Sequence, residues 1–291
     1  MRFGAIEAGG TKMVMAVADE NLNILVRDSI PTLDPEETTE KMIAFFRENP
    51  VDALGIGTFG PIDLNPDSAT YGHITKTPKL AWCNYPLLPR LRDALQVPCG
   101  LDTDVNAAAL GEVELGAAKG VKNCVYVTIG TGIGAGVYCE GNLVHGQMHP
   151  EWGHMLLSPH EDDPMKAGGC PYHKGCLEGM ASGPAIEKRW GVSARELPPD
   201  HPAWKLEAHY LAQLCVTALM TLAPEKIILG GGVMGQTHLF PMIHEETKRL
   251  LNGYLAYVDD LSSVIVPPAC YPDSGLLGSL LLAKKALEAE N

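Results

Sequence analysis

Two glycine-rich turns, each lying between two short apolar runs, constrain the fold of this chain more than any other feature. In the first, residues 2–8 and 13–18 read as strands joined by GGTK at 9–12. In the second, strands within residues 124–139 are joined by GTGI at 130–133. Short strands connected by such turns form β-hairpins. Apolar strands and helices alternate after each hairpin, which predicts an α/β chain with a duplicated core.

Length and composition are those of a globular chain with two domains. The sequence has 291 residues, of which 46% are hydrophobic and 20% are charged, and a chain of this length can bury two cores. The 22 Lys and Arg residues against 35 Asp and Glu residues give a net charge of −13. This charge argues against nucleic acid as a partner, because binding through phosphate contacts requires a basic face.

The apolar runs of the sequence are too short for a membrane-spanning or signal segment. No run of 18 or more apolar residues occurs, so we expect no transmembrane helix and no membrane partner. The first ten residues, MRFGAIEAGG, contain only a brief apolar patch before the glycines, which is too short for a signal peptide. We therefore expect a cytoplasmic protein without a disulfide framework.

The first glycine turn has the chemistry of a phosphate site. Adjacent glycines let backbone N–H groups approach phosphate oxygens, while Thr11 adds a hydroxyl group and Lys12 adds a cation. An ordinary two-glycine hairpin turn is the alternative. The turn is not a P-loop, because the pattern G-x-x-x-x-G-K-[ST] is absent from the sequence.

Two further glycine runs are candidates for the same ligand. The second turn leads into a strand rather than a helix, which argues against the dinucleotide fingerprint of a Rossmann fold. The run GGG at 230–232 follows a short apolar strand at 226–229. Such a run could form a flat ledge for a planar base, or it could be a plain loop.

Asp104 stands at the junction between a strand near 97–101 and an Ala-rich helix at 105–118. At this position the carboxylate could cap the helix as an N-cap residue. It could instead face a cleft and accept the proton of a hydroxyl nucleophile. The sequence leaves both roles open.

Metal-binding residue types cluster between residues 145 and 178. Cys170, His173 and Cys176 have the spacing C-x₂-H-x₂-C, and His154 could supply a fourth ligand. Two thiolates and two imidazoles suit a tetrahedral, structural zinc site without an open position. Chance clustering in a histidine-rich loop is the alternative. Further candidate ligands in the same stretch are His145, His149 and His160.

Taken together and in this order, these segments resemble the ROK family of sugar kinases, within the sugar kinase–actin–chaperone ATPase superfamily. The resemblance covers nearly the whole chain and is strongest to the fructokinase/mannokinase branch, with its zinc-containing bacterial fructokinases. It implies a two-domain actin-like ATPase fold of ribonuclease H-like α/β type, with a duplicated core and an interdomain cleft. The small domain would comprise residues 1–106 and 275–291, and the large domain residues 107–274.

The resemblance implies an activity as well. It is the phosphorylation of a hexose by ATP and Mg²⁺, with fructose as the favoured substrate and Asp104 as the general base. A mannokinase, a glucokinase, an N-acetylmannosamine kinase and a non-catalytic sugar sensor remain alternatives. Because members of the family are usually dimeric, we expect a homodimer.

The resemblance assigns three groups of binding residues. The implied phosphate and nucleotide contacts are Gly9, Gly10, Thr11, Lys12, Gly130, Thr131, Gly132, Gly230, Gly231 and Gly232. The implied sugar contacts are Thr103, Asp104, Glu151, His154 and Glu178. The implied ligands of a structural Zn²⁺ are His154, Cys170, His173 and Cys176.

Three positions depart from the usual family pattern. Glu7 stands where the family usually has Asp, which changes the reach toward a metal ion. Thr103 stands where Asn is common and alters one sugar contact. His173 replaces a cysteine, and the resulting set of two Cys and two His favours the fructokinase-like branch.

Overall fold

The computed structural model, which describes residues 1–255 and 260–290, divides the chain into two units. Unit 1 comprises Met1–Gly116, Leu143–Pro150 and Pro272–Asn291, and unit 2 comprises Ala117–Asn142 and Glu151–Tyr271. The division differs from the one expected from the sequence, since 107–116 and 143–150 belong to unit 1. No helix among the described residues is both long enough and apolar enough to span a membrane.

Strands and helices alternate along both units, as the α/β prediction requires. The strands are β1 (Arg2–Ala8), β2 (Lys12–Asp19), β3 (Ile24–Pro31), β4 (Ala53–Thr58), β5 (Cys99–Thr103), β6 (Cys124–Ile129), β7 (Ile133–Cys139), β8 (Asn142–Leu143), β9 (Lys226–Gly230) and β10 (Ile265–Val266). The helices are α1 (Pro35–Glu48), α2 (Leu87–Leu95), α3 (Asp104–Leu115), α4 (Leu177–Ala181), α5 (Gly183–Trp190), α6 (Ala203–Thr221), α7 (Leu239–Leu251), α8 (Leu261–Val264) and α9 (Ser274–Glu290).

The two sheets have the same topology. In the first, the strand order is β3-β2-β1-β4-β5, and in the second it is β8-β7-β6-β9-β10. In each sheet the hairpin is antiparallel, and its first strand pairs in parallel with the strand that follows the next helical region: β1 with β4, and β6 with β9. The duplicated core predicted from the two glycine hairpins is therefore confirmed, and the two glycine turns occupy equivalent positions in the two sheets.

In unit 1 the face of the sheet that carries α1 buries the larger apolar cluster. Helix α1 begins at Pro35 because the Asp34 carboxylate caps it by accepting bonds from the Glu36 and Glu37 amides. Its apolar side, with Met42 and Phe46, packs in the same cluster as the sheet residues. The periodicity of residues 35–48 predicts these bounds, and the structure confirms them.

One helix of unit 1 was missed in the sequence. Residues 59–89 read as an irregular loop because they are rich in Pro and Gly, but α2 already begins at Leu87. Pro89 lies in its first turn, where a missing N–H group costs nothing. Leu87, Leu88 and Leu91 are buried on one side of α2, and this packing decides the helix.

The C-terminal helix α9 packs closely on the first sheet and on α3. A Cβ atom on Gly55 of β4 would overlap with the carbonyl oxygen of Ser279, and one on Gly278 of α9 would overlap with that of Ala107. The helix therefore approaches both neighbours at backbone distance, which only glycine permits. The hydroxyl group of Ser279 donates to the Ile6 carbonyl oxygen at 3.1 Å, a bond that ties α9 to β1.

In unit 2, α6 lies against α7 and α4, and a buried polar network joins α6 to the segment before α4. Arg189 Nε donates to Asp163 Oδ1 at 2.9 Å, and Tyr210 Oη donates to Asp163 Oδ2 at 2.5 Å. The Arg189 and Asp163 side chains are almost completely buried. A buried pair with its hydrogen bonds satisfied fixes one arrangement of the chain, since breaking it strands a charge. The network therefore anchors the loop that carries the Cys and His residues.

We predict that Gly278→Ala destabilises the protein, because the added methyl group overlaps with the Ala107 carbonyl group. The expected loss is about 1–3 kcal/mol of unfolding free energy, the usual cost of forced overpacking. Urea denaturation followed by circular dichroism measures it. Gly235→Ala is the matched control, since a Cβ atom at that residue would have no neighbour within 4 Å. Equal stability of both variants would contradict the close packing of α9.

Candidate functional site

The first glycine turn is held by Thr32, the residue that follows β3, and its tip is open. Gly9 N donates to Lys12 O at 3.0 Å and closes the turn. The amide and hydroxyl groups of Thr32 donate to Thr11 O and Gly9 O, at 3.0 and 2.8 Å. Gly10, Thr11 and Lys12 are exposed. Their amides, the Thr11 hydroxyl and the Lys12 ammonium group are thus accessible to an anion.

Lys79 is a second cation at this turn, and the sequence did not indicate it. The Cε atom of Lys79 lies 3.4 Å from the position that a Cβ atom on Gly10 would take. The residue belongs to the irregular region 59–89, in which no motif distinguishes it from other lysines. Its proximity to the turn follows from the path of this region over unit 1.

The structure excludes one of the two roles left open for Asp104, that of the N-cap residue. Thr103 is the N-cap of α3, because its hydroxyl oxygen accepts from Asn106 N at 3.1 Å. Asp104 is the first helical residue, and its Oδ1 atom accepts from the adjacent Val105 amide at 2.9 Å. Capping is therefore performed by Thr103, and the Asp104 carboxylate remains able to accept a proton.

Two carboxyl groups of unit 1 have raised pKa values. Desolvation by the surrounding protein raises the pKa of Asp104 from 3.8 to about 6. Burial, and secondarily the charge of Asp104, raise the pKa of Glu7 from 4.5 to about 7. Glu7 Oε1 would lie 2.8 Å from a Cβ atom on Gly275, so the first turn of α9 covers its carboxyl group. Such shifted carboxyl groups are typical of functional sites.

The buried carboxylate of Asp102 organises the start of α3. Asp102 Oδ1 accepts from Thr103 N and Asn106 Nδ2 at 2.8 and 2.7 Å. Its Oδ2 atom lies 2.9 Å from Nε2 of His145, and this hydrogen bond raises the pKa of His145. His145 is thus engaged with Asp102, a role that its sequence position among other histidines did not indicate.

His145 also lies on the wall of a cleft in unit 1. The cleft has a volume of about 470 Å³ and is lined by residues 61–66, Thr75 and 145–148. Its walls therefore come partly from the irregular region in which we expected binding residues. In the same wall, the Ile62 amide donates to Nε2 of His149 at 3.2 Å, and burial lowers the pKa of His149.

In unit 2 the second and third glycine runs meet. Gly130 N donates to Gly132 O at 2.9 Å and closes the second turn. Gly231 has φ +89° and lies so close to the Ile129 backbone that a Cβ atom would be 2.5 Å from Ile129 N. Cβ atoms on Gly130 and Gly232 would meet nothing within 4 Å. The turn and the GGG run thus form one open, backbone-lined surface.

The Cys and His residues with zinc-ligand spacing also come together. The four ligand atoms of His154, Cys170, His173 and Cys176 lie within 4.8 Å of one another. Nδ1 of His154 is 3.9 Å from Cys170 Sγ and 3.8 Å from Cys176 Sγ, and Nδ1 of His173 is 3.8 Å from Cys170 Sγ. A tetrahedral zinc site with ordinary bond lengths gives S···N separations of roughly 3.6 Å. The donor set and its spacing fit Zn²⁺.

The spare histidine ligands have other partners. His145 pairs with Asp102, and His149 accepts from Ile62. The Asp162 amide donates to Nδ1 of His160 at 3.2 Å. Within the part of the chain that the structure describes, His154 and His173 are the only candidate histidines that belong to the Cys and His cluster.

The residues expected to contact a sugar are distributed over both units. Thr103 and Asp104 belong to unit 1, whereas Glu151, His154 and Glu178 belong to unit 2. Within unit 2, Glu151 precedes the short 3₁₀ helix Trp152–His154, and Glu178 lies in the first turn of α4. Nδ1 of His154 faces the thiols of Cys170 and Cys176. Its other ring nitrogen, Nε2, is therefore directed away from them.

Comparison with known proteins decides the family. The family model described as ROK matches residues 3–286. The chain belongs to the ROK family. A fructokinase from Pediococcus pentosaceus is 48% identical over 288 residues, which are 99% of each chain. A fructokinase from Lactococcus lactis subsp. cremoris is 44% identical over 282 residues, 97% of this chain and 96% of the relative.

A solved structure supports the fold of this ROK chain. The ROK hexokinase from Thermus thermophilus matches with a TM-score of 0.81 and 29% identity, over 99% of this chain and 100% of that one. The chain thus has the two-domain α/β fold of ROK sugar kinases, of the actin-like ATPase type. The family and fold expected from the order of the motifs are confirmed.

We predict that Asp104→Asn stabilises the folded protein at pH 8. The raised pKa means that the folded state retains the proton more strongly than the unfolded state, so the wild type loses stability as the pH rises from 3.8 to about 6 and does not regain it above. A shift from 3.8 to about 6 corresponds to about 3 kcal/mol at pH 8, falling to about half at pH 5. The gain in melting temperature over the wild type is therefore larger at pH 8 than at pH 5. Calorimetry at the two pH values measures it.

The exposed Asp67 provides the control, and Asp67→Asn is expected to leave the melting temperature unchanged at both pH values. An Asp104→Asn effect of the same size at pH 5 and pH 8 would show that desolvation of the carboxylate is not its origin.

Proposed function

We propose that this ROK chain is an ATP-dependent hexose kinase that phosphorylates D-fructose to D-fructose 6-phosphate. The Asp104 carboxylate carries the proposal on the structural side, since it is desolvated and does not cap α3. The proposed preference for fructose rests on relatives named fructokinase that match nearly the whole chain at 44–48% identity.

Asp104 would act as the general base. A base is most effective when its pKa lies near the working pH, and the pKa of about 6 leaves Asp104 ionised at neutral pH yet able to take a proton. It would accept the proton of the 6-hydroxyl group as this oxygen bonds to the γ-phosphorus and the bond from that phosphorus to the β,γ-bridging oxygen breaks, which releases ADP. The hydrogen bonds of Asp102 to Thr103 and Asn106 would keep the first turn of α3, and hence Asp104, in place.

The glycine turns would position the nucleotide. In phosphoryl transfer the protein mainly orients the reactants and stabilises charge on the phosphoryl oxygens. In the first turn, exposed amides, Thr11, Lys12 and the neighbouring Lys79 are available for phosphate oxygens. In unit 2, the Gly130–Gly132 turn would take phosphates, and the adjoining Gly230–Gly232 run would take the adenosine.

Mg²⁺ and Zn²⁺ would have different roles. Mg²⁺ prefers carboxylate and phosphate oxygens, and Glu7 is the carboxylate next to the first turn that could help to hold it. When bound, Mg²⁺ would offset the charge of the phosphates. The closed Cys₂His₂ set is suited to a structural Zn²⁺, which would fix the segment that carries Glu151, His154 and Glu178 for sugar binding.

The homodimer and the cytoplasmic location stay predictions from the resemblance and the composition. Other ROK activities remain as alternatives for the substrate, namely a mannokinase, a glucokinase or an N-acetylmannosamine kinase. A non-catalytic sugar sensor is disfavoured by the desolvated Asp104, because a sensor has no use for a base.

We predict that the purified chain releases ADP from Mg-ATP most efficiently with fructose. A coupled ADP assay with fructose, mannose, glucose and N-acetylmannosamine measures kcat/KM for each sugar. Asp104→Asn is expected to lower kcat by about 10²–10⁴-fold with a small change in the sugar KM. For the wild type, kcat/KM should fall below about pH 6, since protonation removes the base.

The exposed-site variant Asp67→Asn serves as the control and should retain wild-type kinetics. Another preferred hexose would reassign the substrate within the family, and absence of ADP with every sugar would favour the sensor. A wild-type kcat in Asp104→Asn would rule out the proposed base.

We predict that the protein contains about one zinc ion per chain and that Cys170→Ser loses it. The loop from 154 to 176 would then be less ordered, so the melting temperature should fall and the sugar KM should rise. Elemental analysis, calorimetry and kinetics measure these effects. Cys139→Ser is the matched control, because Cys139 lies outside the cluster. Wild-type protein without zinc would contradict the assignment of the metal site.

A further inference from the structure

The carboxylate of Glu178 contacts the second glycine turn directly. Its Oε2 atom accepts a hydrogen bond from Ile133 N at 3.0 Å, between residues 45 positions apart. A Cβ atom on Gly132 would lie 2.8 Å from the same oxygen. The carboxylate of α4 is therefore packed against the backbone of the turn that we assign to nucleotide phosphates.

The second glycine turn is supported by the segment 178–183. Gly183 at the start of α5 donates its N–H to Gly130 O at 2.8 Å, while Glu178 accepts from Ile133 at the other end of the turn. Thr131 at the tip is exposed, and a Cβ atom on Gly130 would meet nothing within 4 Å. The described contacts thus hold both ends of the turn from the segment 178–183 and leave its tip open.

The same segment begins at the Cys and His cluster. Cys176 is the N-cap residue of α4, two residues before Glu178, and its Sγ atom lies 3.8 Å from Nδ1 of His154. Gly153, next to His154, lies so close to Ile133 that a Cβ atom would overlap with the Ile133 carbonyl oxygen. The N–H and C=O groups of Ile133 are therefore both contacted by residues that lie within two positions of cluster members.

We propose that Glu178 is a positioning residue for the nucleotide, through which the Cys and His cluster orders the phosphate-binding turn. The inference rests on the proposed function and adds to the sugar contact that the family resemblance implies for Glu178. A turn whose amides are already in their binding arrangement loses less entropy when the phosphates arrive. Glu178 supplies that order by holding the Ile133 amide.

Nucleotide affinity in the absence of sugar tests this role. Isothermal titration calorimetry with Mg-ADP compares the wild type, Glu178→Ala and Glu178→Gln. Glu178→Ala loses a charge-assisted hydrogen bond and should bind Mg-ADP on the order of ten-fold more weakly. Glu178→Gln should bind within about three-fold of the wild type, because its amide oxygen can still accept from Ile133 N. Glu187→Ala, an exposed change on α5, should bind like the wild type.

The outcomes separate the inference from the function on which it rests. If Glu178 contacts only sugar, Glu178→Ala and Glu178→Gln both bind Mg-ADP like the wild type, and the inference is overturned. If Glu178→Gln binds as weakly as Glu178→Ala, the hydrogen bond to Ile133 is not the cause, which also overturns it. A wild type that binds no Mg-ADP instead contradicts the proposed kinase.

A second variant tests the same contact if Glu178→Ala does not fold. Gly132→Ala places a methyl group within 2.8 Å of the Glu178 carboxylate and displaces its flexible end from the turn. It should weaken Mg-ADP binding, because the displaced carboxylate no longer accepts from Ile133 N. Wild-type affinity for Mg-ADP in Gly132→Ala would contradict the positioning role.

Discussion

Backbone contact of α9 with the first sheet and with α3 fixes the positions of the elements that carry Glu7 and Asp104. The helix approaches β4 and α3 at Gly55 and Gly278, where a Cβ atom would overlap with a carbonyl oxygen. Its first turn covers the Glu7 carboxyl group, and α3, on which it packs, begins with Asp104. The burial that raises the pKa of Glu7 is therefore in part a consequence of how closely the last helix of the chain packs on the first sheet.

The two sheets repeat one topology, but their turns are supported differently. In unit 1 the glycine turn is held by the amide and hydroxyl groups of Thr32, the residue that directly follows β3. In unit 2 the equivalent turn is held by Glu178 and Gly183, which follow the Cys and His cluster in the chain. The second copy of the core thus supports its turn from the first turn of α4 and the start of α5, whereas the first copy uses the residue that follows its edge strand. This difference is the basis for proposing that the cluster influences nucleotide binding as well as sugar binding.

Much of the architecture was accessible from the sequence because its signals are local. The hairpins were predicted from apolar runs broken by glycines, and β1, β2, β6 and β7 lie where those runs are. Helix α2 was missed, since Pro and Gly around it indicate a loop and only the burial of Leu87, Leu88 and Leu91 decides for a helix. The domain boundary expected after residue 106 falls inside α3, because packing on α9 rather than the composition of α3 assigns that helix to unit 1.

The sequence by itself determined the family, the repeated core and the four cluster residues. These follow from short spacings, such as C-x₂-H-x₂-C, and from the order of motifs along the chain. Only the tertiary structure decided that Thr103 caps α3 in place of Asp104, that His145 pairs with Asp102, that Lys79 reaches Gly10, and that Glu178 binds the Ile133 amide. Apart from the cap, these contacts join residues that are distant in sequence. Their existence depends on how folded segments pass one another, and no local pattern of residues encodes that.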